Sequence, residues 1–434
     1  MLIQRARLLD GTVVDIRAEQ TIVDVAEHLT PSAGESVLDA GLRTVIPGLH
    51  DHHVHLHSAA AALTSVTVGP REVHGRNDLA RVLAGAVIGE DGWIRAVGYH
   101  EAVAGPLDRA ALDEIAPAVP VRVQHRSGIL WTLNSAGLAC VGLPDHPDGR
   151  LRSADQNWSH ALQRREAGLA EVSRRLASYG VTGVTDATPG LGIADLMKFA
   201  EAQRHGELVQ HVTGLAPGKR ILHDDGLDLD ELTRWIGARH DAGGTVAVHC
   251  VTAAQLVVTI AALDSAGIRP GDRIEHAAVV PDDCLPELAR LGVTVATQPN
   301  FIAERGDQYL ADVPADEHHH LWRVASLLDA GVKVAMSTDM PFGDADPWAA
   351  MRAAVHRTTA SGVVLGAAER IEARTALDMF LGEPGVPTRP RTVAPGQPAN
   401  LSVIAATPEE LLRELDGDLV AATIIDGSVV FEHA

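Results

Sequence analysis

The chain has 434 residues, of which 46% are hydrophobic, and its formal net charge is −21. A large core can therefore be buried, and global disorder is excluded. The excess of acidic over basic residues argues against nucleic acid as a partner, because its phosphate backbone is also negatively charged. No apolar run approaches the roughly 18 uncharged residues of a membrane span, the three cysteines make no disulfide framework, and residues 1–5 lack a signal-peptide layout. We expect a soluble, cytoplasmic protein that binds neither nucleic acid nor membrane.

The two ends of the chain, residues 1–43 and 386–434, are predicted to form short strands. Residues 21–25 and 422–430 are rich in β-branched side chains and are bounded by turn-forming residues. Residues 408–415 predict a helix between two C-terminal strands. We expect the two ends to pair into one small composite β-sandwich.

Residues 44–385 alternate short apolar runs with helical stretches. This alternation predicts an α/β fold, and the number of units favours a closed TIM-type (β/α)8 barrel over an open sheet. About nine strands are predicted in all, so we place one or two of them in an insertion around 85–158. The predicted strands include 44–49, 94–98, 120–123, 181–185, 245–250, 293–297 and 332–336, and the predicted helices include 160–178, 228–240, 253–265, 283–291 and 318–330.

The first of these strands ends in a histidine-rich segment. Five histidines occupy residues 50–57. Because strand side chains alternate, Asp51, His53, His55 and His57 share one face. The active sites of barrels lie at the C-terminal ends of their strands, and two imidazoles two residues apart can bind one metal ion. The segment therefore predicts a metal site.

Three later strands each end in a further metal-ligand type. His249 and His276 each end a short apolar run, and Asp339 comes shortly after the apolar run 332–336. Each alone is as typical of a core histidine or a helix cap. Together with the first pair they form a convergent set, and neutral imidazoles with a carboxylate suit Zn²⁺ or a similar divalent ion. The histidines of 318–320, in contrast, are predicted to be a solvated helix start rather than a metal site.

In this order, His-x-His, His, His and Asp over a βα barrel, the chain resembles the metal-dependent amidohydrolase superfamily. More narrowly, it is similar to the branch that contains N-substituted formamide deformylase. The resemblance covers nearly the whole chain and implies the barrel with its composite β-sandwich. It is carried by residues 91–94, 131–138, 180–186 and 337–341.

The resemblance implies a role for each ligand residue. His53 and His55 are expected to bind a first metal ion and His249 and His276 a second, with Asp339 as the last ligand and the proton-transfer group. Many superfamily members add a carboxylated lysine that bridges two metals. Lys219 falls where such a lysine would, although a surface lysine in a Gly-Pro turn is the alternative. One or two Zn²⁺ per chain are therefore expected.

Four further residues are candidates for contact with substrate. The branch often has Asp-Gly-His where this chain has Ser-Gly-Ile at 127–129. Either His125 replaces that imidazole and helps to polarise the substrate carbonyl, or the pocket of this protein differs from that of the branch. Arg126 is predicted to bind a substrate carboxylate, with a surface arginine as the alternative. Gln298 and Asn300 follow the strand 293–297 and are predicted to contact substrate.

The resulting functional prediction is hydrolysis of a C–N bond in a small amide, formamide or cyclic amide by metal-activated water, with Asp339 moving the proton. A mononuclear deaminase of a heterocyclic amine is the alternative. Superfamily deaminases typically carry Glu three residues after the fifth-strand histidine, where this chain has Thr252. A silent scaffold is a third reading, which the complete ligand set disfavours. The predicted partner is a small molecule, and a homodimer is compatible with the family.

Overall fold

The computed structural model of the protein describes residues 1–116, 118–153, 158, 162 and 168–433. The chain divides into two compact units, Met1–Leu56 with Leu169–Ala434, and His57–Gly168. Within the described residues, no helix combines the length and apolar character that crossing a membrane requires.

Both strands and α-helices form along the described chain. The strands are β1 (Leu2–Arg7), β2 (Val13–Ala18), β3 (Ile22–Ala26), β4 (Val37–Asp39), β5 (Thr44–Pro47), β6 (Leu49–Val54), β7 (Val66–Thr67), β8 (Ile94–Tyr99), β9 (Val121–His125), β10 (Leu130–Leu133), β11 (Arg150–Arg152), β12 (Val181–Asp186), β13 (His211–Gly214), β14 (Lys219–Ile221), β15 (Ala247–Cys250), β16 (Arg273–His276), β17 (Thr294–Thr297), β18 (Lys333–Met336), β19 (Gly382–Glu383), β20 (Val386–Pro390), β21 (Leu401–Ile404), β22 (Val420–Ile425) and β23 (Ser428–Glu432). The α-helices are α1 (Leu56–Leu63), α2 (Arg76–Ala84), α3 (Glu101–Ala104), α4 (Arg109–Ile115), α5 (Ser135–Cys140), α6 (Ala170–Ser178), α7 (Ile193–Arg204), α8 (Leu229–Asp241), α9 (Ala253–Ala266), α10 (Cys284–Leu291), α11 (Asn300–Asp312), α12 (Ala325–Asp329), α13 (Pro347–His356), α14 (Ala373–Asp378) and α15 (Pro408–Glu414).

Strands from both ends of the chain pair in one eight-stranded sheet of the first unit. Its order is β23-β22-β21-β5-β1-β2-β3, with β4 also pairing with β1. The central join is antiparallel, with Leu401 opposite Pro47 and Ile404 opposite Thr44. The sheet therefore includes β5, which the sequence analysis placed in the barrel region. The sandwich arrangement and the boundaries 1–43 and 386–434 stay predictions.

Eight further strands of the first unit run parallel in two sheets. One has the order β13-β12-β6, and the other runs β14 to β18 in chain order. The end of β18 is joined to β6 by backbone bonds, from Asp339 N to His53 O at 3.0 Å and from His55 N to Met340 O at 2.8 Å. No ladder joins β13 to β14 in the part of the chain that the structure describes. The α/β class is confirmed, and the closed barrel stays a prediction.

The register of these parallel strands arranges side chains in rows. Lys219 lies opposite Ala247, which lies opposite Arg273. Two residues further along, Ile221 lies opposite His249, which lies opposite Glu275. Paired residues of neighbouring parallel strands project to the same side of the sheet, as do residues two apart along one strand. Polar groups of three strands are therefore collected on one face.

The second unit, His57–Gly168, contains a five-stranded sheet of order β11-β10-β9-β8-β7. Its core packs helix and strand side chains such as Leu79, Ile94, Leu112 and Val121, each at most 1% exposed. Two of the strands predicted from the sequence, 94–98 and 120–123, are β8 and β9 of this unit. The unit begins and ends outside the range 85–158 predicted for an insertion.

One predicted helix is wrong in its extent. The stretch 318–330 contains a 3-10 helix, Ala315–His320, and then the short helix α12. Between them Leu321 forms an antiparallel bridge with Val279 and Trp322 has a positive φ of 49°, which interrupts helical geometry. Of the predicted helix 160–178, residues 160, 161 and 163–167 lie outside the described residues, and α6 begins at Ala170.

Candidate metal centre

His53 of β6, His55 just after that strand and Asp339 after β18 form the centre of the site. The distance from Asp339 Oδ1 is 3.5 Å to His53 Nε2 and 3.3 Å to His55 Nε2. A tetrahedral site with bonds of ~2.1 Å would place its donor atoms roughly 3.4 Å apart. These three side chains therefore have the spacing that one divalent ion requires.

Two more histidines adjoin this group from the ends of β15 and β16. The ring of His276 lies 4.7 Å from that of His53 and 4.5 Å from that of His249, measured between centroids. All four histidines that the sequence analysis assigned to the metal site are thus brought together, and Asp339 lies with them.

Lys219 opens β14 and is buried. Only 7% of the residue is exposed, so it is not a surface lysine. Burial lowers the pKa of its ammonium group to about 8, although the nearby carboxylates of Glu275 and Asp339 act to raise it. Within the described residues, Lys219 Nζ has no hydrogen-bond partner.

Several buried donor atoms of the site share this lack of a partner. Among the described residues, the buried atoms His53 Nε2, His249 Nε2, Lys219 Nζ and Asp339 Oδ1 make no hydrogen bond. Buried polar atoms are nearly always satisfied, because each unsatisfied one costs about 1–3 kcal/mol. Four such atoms on neighbouring side chains are the arrangement that a bound metal would satisfy.

The histidines are also in the protonation state that metal binding needs. Burial lowers the pKa of His53 and His276 well below the usual value of 6.5. Burial lowers the pKa of His249 to about 3, and Lys219 adds to the effect. Near neutral pH these imidazoles are uncharged, so each has a nitrogen lone pair to offer.

Glu275 is a functional residue that the sequence analysis missed. Its Oε2 accepts a hydrogen bond from His53 Nδ1, and Arg273 donates to the same carboxylate from Nε at 2.7 Å and Nη2 at 3.0 Å. This contact fixes the proton of His53 on Nδ1 and leaves Nε2 free to face Asp339. The available signal was a pair of opposite charges two residues apart, Arg273 and Glu275, in the short strand that ends in His276.

Gln298 supports His276 in the same way. Its Oε1 accepts a hydrogen bond from His276 Nδ1 at 2.8 Å, and its Nε2 donates to Ser337 Oγ at 2.8 Å. Gln298 thus contacts a histidine of the candidate metal centre, and its predicted contact with substrate stays a prediction. Asn300 donates to Thr338 O at 3.1 Å, and its Oδ1 has no hydrogen-bond partner among the described residues.

Asp51 joins β6 to the segment that carries Asp339. Its carboxylate accepts hydrogen bonds from Thr338 Oγ1 and from Thr338 N, the latter at 3.1 Å. Burial raises the pKa of Asp51 to about 7. This aspartate therefore fixes the two ends of the site relative to each other, and its side chain is already engaged.

His125 and Arg126 lie in the second unit, at and just after the end of β9. His125 Nε2 lies 3.1 Å from Glu101 Oε2, and its Nδ1 lies 2.8 Å from Ser127 Oγ. Arg126 is partly buried. The roles predicted for these two residues toward substrate stay predictions.

Comparison with known proteins gives matches along nearly the whole chain. The model of the Amidohydrolase family matches residues 36–431. N-substituted formamide deformylase from Arthrobacter pascens is 25% identical, over 99% of this chain and 95% of that protein.

Two solved structures described as uncharacterized metal-dependent hydrolases share the fold. The one from Pyrococcus furiosus is 20% identical with a TM-score of 0.69, over 94% of this chain and 99% of that one. The one from Pyrococcus horikoshii OT3 is 17% identical with a TM-score of 0.72, over 100% of this chain and 99% of that one.

Proposed function

This chain belongs to the amidohydrolase family, and we propose that it hydrolyses the C–N bond of a small amide, formamide or cyclic amide at a zinc-type metal centre. As an enzyme of this family it acts on carbon–nitrogen bonds other than peptide bonds. The observation that carries the proposal is the convergence of buried, unpartnered donor atoms from His53, His249, Lys219 and Asp339. The similarity to N-substituted formamide deformylase supports a formamide as the first substrate to test.

The site has enough ligands for two ions. His53, His55 and Asp339 would hold one, because their donor atoms have the required spacing. His249 and His276 would contribute to a second. Lys219 would join the two after its uncharged Nζ forms a C–N bond to CO₂ and loses a proton, which creates an anionic carbamate. A buried lysine without a hydrogen-bond partner supports this modification.

When bound, the metal would lower the pKa of a water ligand to ~7 and would act as a Lewis acid toward the substrate carbonyl. Asp339 Oδ1 accepts the proton of the attacking water and returns it to the leaving nitrogen. Glu275 and Gln298 keep the rings of His53 and His276 oriented throughout. Burial of these groups limits competing contact with bulk water.

A product assay with an aspartate variant tests this reaction. A panel of N-substituted formamides and cyclic amides is incubated with the protein, and acid, amine and ammonia are measured separately. We expect formate and amine in equal amounts from each formamide and one amino acid from each cyclic amide. We also expect a loss of roughly 10²–10⁴-fold in kcat for Asp339→Asn, which cannot accept the proton. The exposed Asp312→Asn is the matched control and should retain wild-type turnover. Ammonia without acid would instead support the deaminase, and near-wild-type turnover of Asp339→Asn would remove this residue from the mechanism.

Metal content tests the bridging lysine. Plasma mass spectrometry of protein purified without chelator is expected to find about two zinc-type ions per chain, as in two-metal hydrolytic sites. Lys219→Met should reduce this to about one, because no carbamate can form. Lys198→Met is the control, since the side chain of Lys198 is 52% exposed and pairs with Asp195. An unchanged metal count in Lys219→Met would remove the bridge, and a wild-type protein that takes up no metal would overturn the metal-dependent reaction itself.

A further inference from the structure

The histidines of residues 318–320 lie in the first unit, in the 3-10 helix Ala315–His320, and take no part in the metal centre described above. His319 and His320 lie beside Asp282, and one donor atom from each of the three falls within 4.8 Å of the others. His319 Nε2 and Asp282 Oδ2 are 3.6 Å apart. This is close to the roughly 3.4 Å between two ligands of a tetrahedral zinc ion. We propose that Asp282, His319 and His320 form a second, peripheral site for a divalent transition metal.

Asp282 is held in position by a buried arginine. Arg323 is 7% exposed and donates from Nη1 to Asp282 Oδ1. Arg323 is itself fixed by Glu369 Oε1 at 3.1 Å and by Val280 O at 3.1 Å. One carboxylate oxygen is thereby occupied, and the other lies toward His319. Outer contacts of this kind orient metal ligands and raise affinity.

The two ligand segments are also joined through the backbone. Val280 N donates to His320 O at 2.9 Å, and Trp322 N donates to Ala278 O at 2.8 Å. The loop that carries Asp282 and the turn that carries the histidines are therefore held in one register. Such preorganisation lowers the conformational cost of binding an ion between them.

Two of the three adjacent histidines belong to this cluster, and His318 does not. His318 Nε2 contacts Val313 O at 2.8 Å, which occupies that nitrogen. Within the described residues, neither His319 nor His320 uses a ring nitrogen in a hydrogen bond to the protein. Their ring centroids lie 3.9 Å apart. Imidazole nitrogens with one carboxylate oxygen select zinc, copper, nickel or cobalt over calcium or magnesium.

A comparison within the protein shows what the proposed site has that a similar cluster lacks. His100, Glu101 and His125 in the second unit also place three donor atoms within 4.8 Å. There, however, each Nδ1 accepts a backbone N–H, from Ala102 for His100 and from Ser127 for His125. Both neutral rings must then carry their proton on Nε2, toward Glu101, where it would block a metal. His319 and His320 have no such constraint.

Zinc titration of the purified holoprotein tests the proposal. Competition with a chromophoric chelator should reveal about one weakly bound Zn²⁺ per chain beyond the tightly held metal. The affinity is expected to be weak because the side chains of His319 and Asp282 are more than half exposed and water would complete the coordination. His319→Asn and His320→Asn should each weaken this equivalent at least tenfold. His28→Asn, at an exposed histidine outside the cluster, should leave it unchanged. Equal zinc affinity in all three variants, or no extra equivalent in the wild type, would overturn the proposal.

Two further measurements separate this site from the principal centre. The weak equivalent should persist in Asp339→Asn, and its loss there would assign it to the principal centre instead. Electron paramagnetic resonance spectra are recorded with Cu²⁺ added to wild-type holoprotein and to His319→Asn. The spectrum of wild type minus that of the variant should show hyperfine coupling of Cu²⁺ to nitrogen. The absence of nitrogen coupling would contradict ligation by His319. The thermal midpoints of both histidine variants should match the wild type, since the rings replaced are at the surface.

Discussion

At the scale of single residues, the backbone at His276 determines which side chains reach the metal centre. Glu275 and His276 are neighbours on β16, where alternation would send their side chains to opposite faces. Both nevertheless lie against His53, because His276 and Ala277 have positive φ values of 71° and 46°. Such conformations cost a non-glycine residue about 1–2 kcal/mol, so the surrounding contacts must hold them in place. Asp339, with a φ of 58°, shows that a second ligand is placed in the same way.

Replacement of Glu275 tests its positioning role. In Glu275→Gln the neutral side chain binds His53 Nδ1 less strongly and leaves Arg273 buried without a counter-charge. We expect metal affinity to fall by roughly 10–100-fold, as for other outer contacts of metal ligands. We also expect the free energy of unfolding to fall by about 3–5 kcal/mol, as when one partner of a buried ion pair is removed. Chelator competition and urea unfolding measure the two effects.

Glu287→Gln provides the matched control for this change. Glu287 also accepts from an arginine, Arg290, but both side chains of that pair are about half exposed. Exposed pairs contribute about 0–1 kcal/mol, so both metal affinity and unfolding should stay close to wild type. If Glu275→Gln behaved like Glu287→Gln, its contact with His53 would have no positioning role.

At the scale of elements, β6 and β12 approach so closely that a glycine is required between them. Gly183 of β12 is paired with His50 of β6, and a Cβ at Gly183 would lie 2.6 Å from His50 Nδ1. The ring of His50 is buried and its Nε2 lies 2.9 Å from Thr185 Oγ1, so it cannot swing aside. Because β6 also carries His53, the spacing of these two strands determines the position of a residue of the candidate metal centre.

Gly183→Ala should therefore affect both stability and the site. The added methyl group forces the two strands apart, and overpacking of this kind costs about 1–3 kcal/mol. We expect a lower thermal midpoint together with weaker metal binding. Gly237→Ala is the control, because Gly237 lies in α8 with open space around its Cβ position, and it should be stabilised by roughly 0.5–1 kcal/mol. A variant at Gly183 as stable as wild type would show that the two strands have room to separate.

At the scale of the whole molecule, the buried histidines couple folding to pH in the metal-free protein. Burial lowers the pKa of five histidines, at positions 50, 52, 53, 249 and 276, below the usual 6.5. Below pH 6.5 the unfolded chain binds protons at these histidines and the folded chain does not. The free energy of unfolding must then fall as the pH falls, by about 1.4 kcal/mol per pH unit for each histidine.

Asp51 acts in the opposite direction over the same range. Its pKa is raised to about 7, so the folded chain holds a proton that the unfolded chain releases between pH 3.8 and 7. One carboxyl group cannot offset five imidazoles, and the net effect is destabilisation in acid. Urea unfolding of chelator-treated protein at pH 7.5, 6.5 and 5.5 measures it. We expect a small loss of stability between pH 7.5 and 6.5 and a larger loss between pH 6.5 and 5.5. Equal stability at pH 6.5 and 5.5 would contradict these pKa shifts.

The residues that group at the candidate metal centre could be predicted from the sequence, whereas most of the contacts that hold them in place could not. Strand alternation and strand ends are local properties, and they predict the grouping in which the structure brings together His53, His55, His249, His276 and Asp339. Their binding of metal stays a prediction. The contact of Glu275 with His53 depends on a positive φ and on a partner more than 200 residues away, neither of which a local pattern contains. The role of Gln298 likewise depends on how β16 and β17 lie side by side. The helix predicted over 318–330 failed because a tertiary bridge at Leu321 overrides local helix propensity.

β5 and its partner strand β21 are far apart in the sequence, so β5 is synthesised long before β21. Thr44 Oγ1 donates to Ala406 O, 362 residues away, so a ribosome releases β5 long before its partner strand exists. Closing so long a loop carries a length-dependent entropy cost of roughly 5 kcal/mol. Until then one edge of β5 presents unpaired N–H and C=O groups, the kind of edge on which nascent chains aggregate. We therefore expect the exposed edge of β5 to be open to pairing with other strands until β21 has been synthesised.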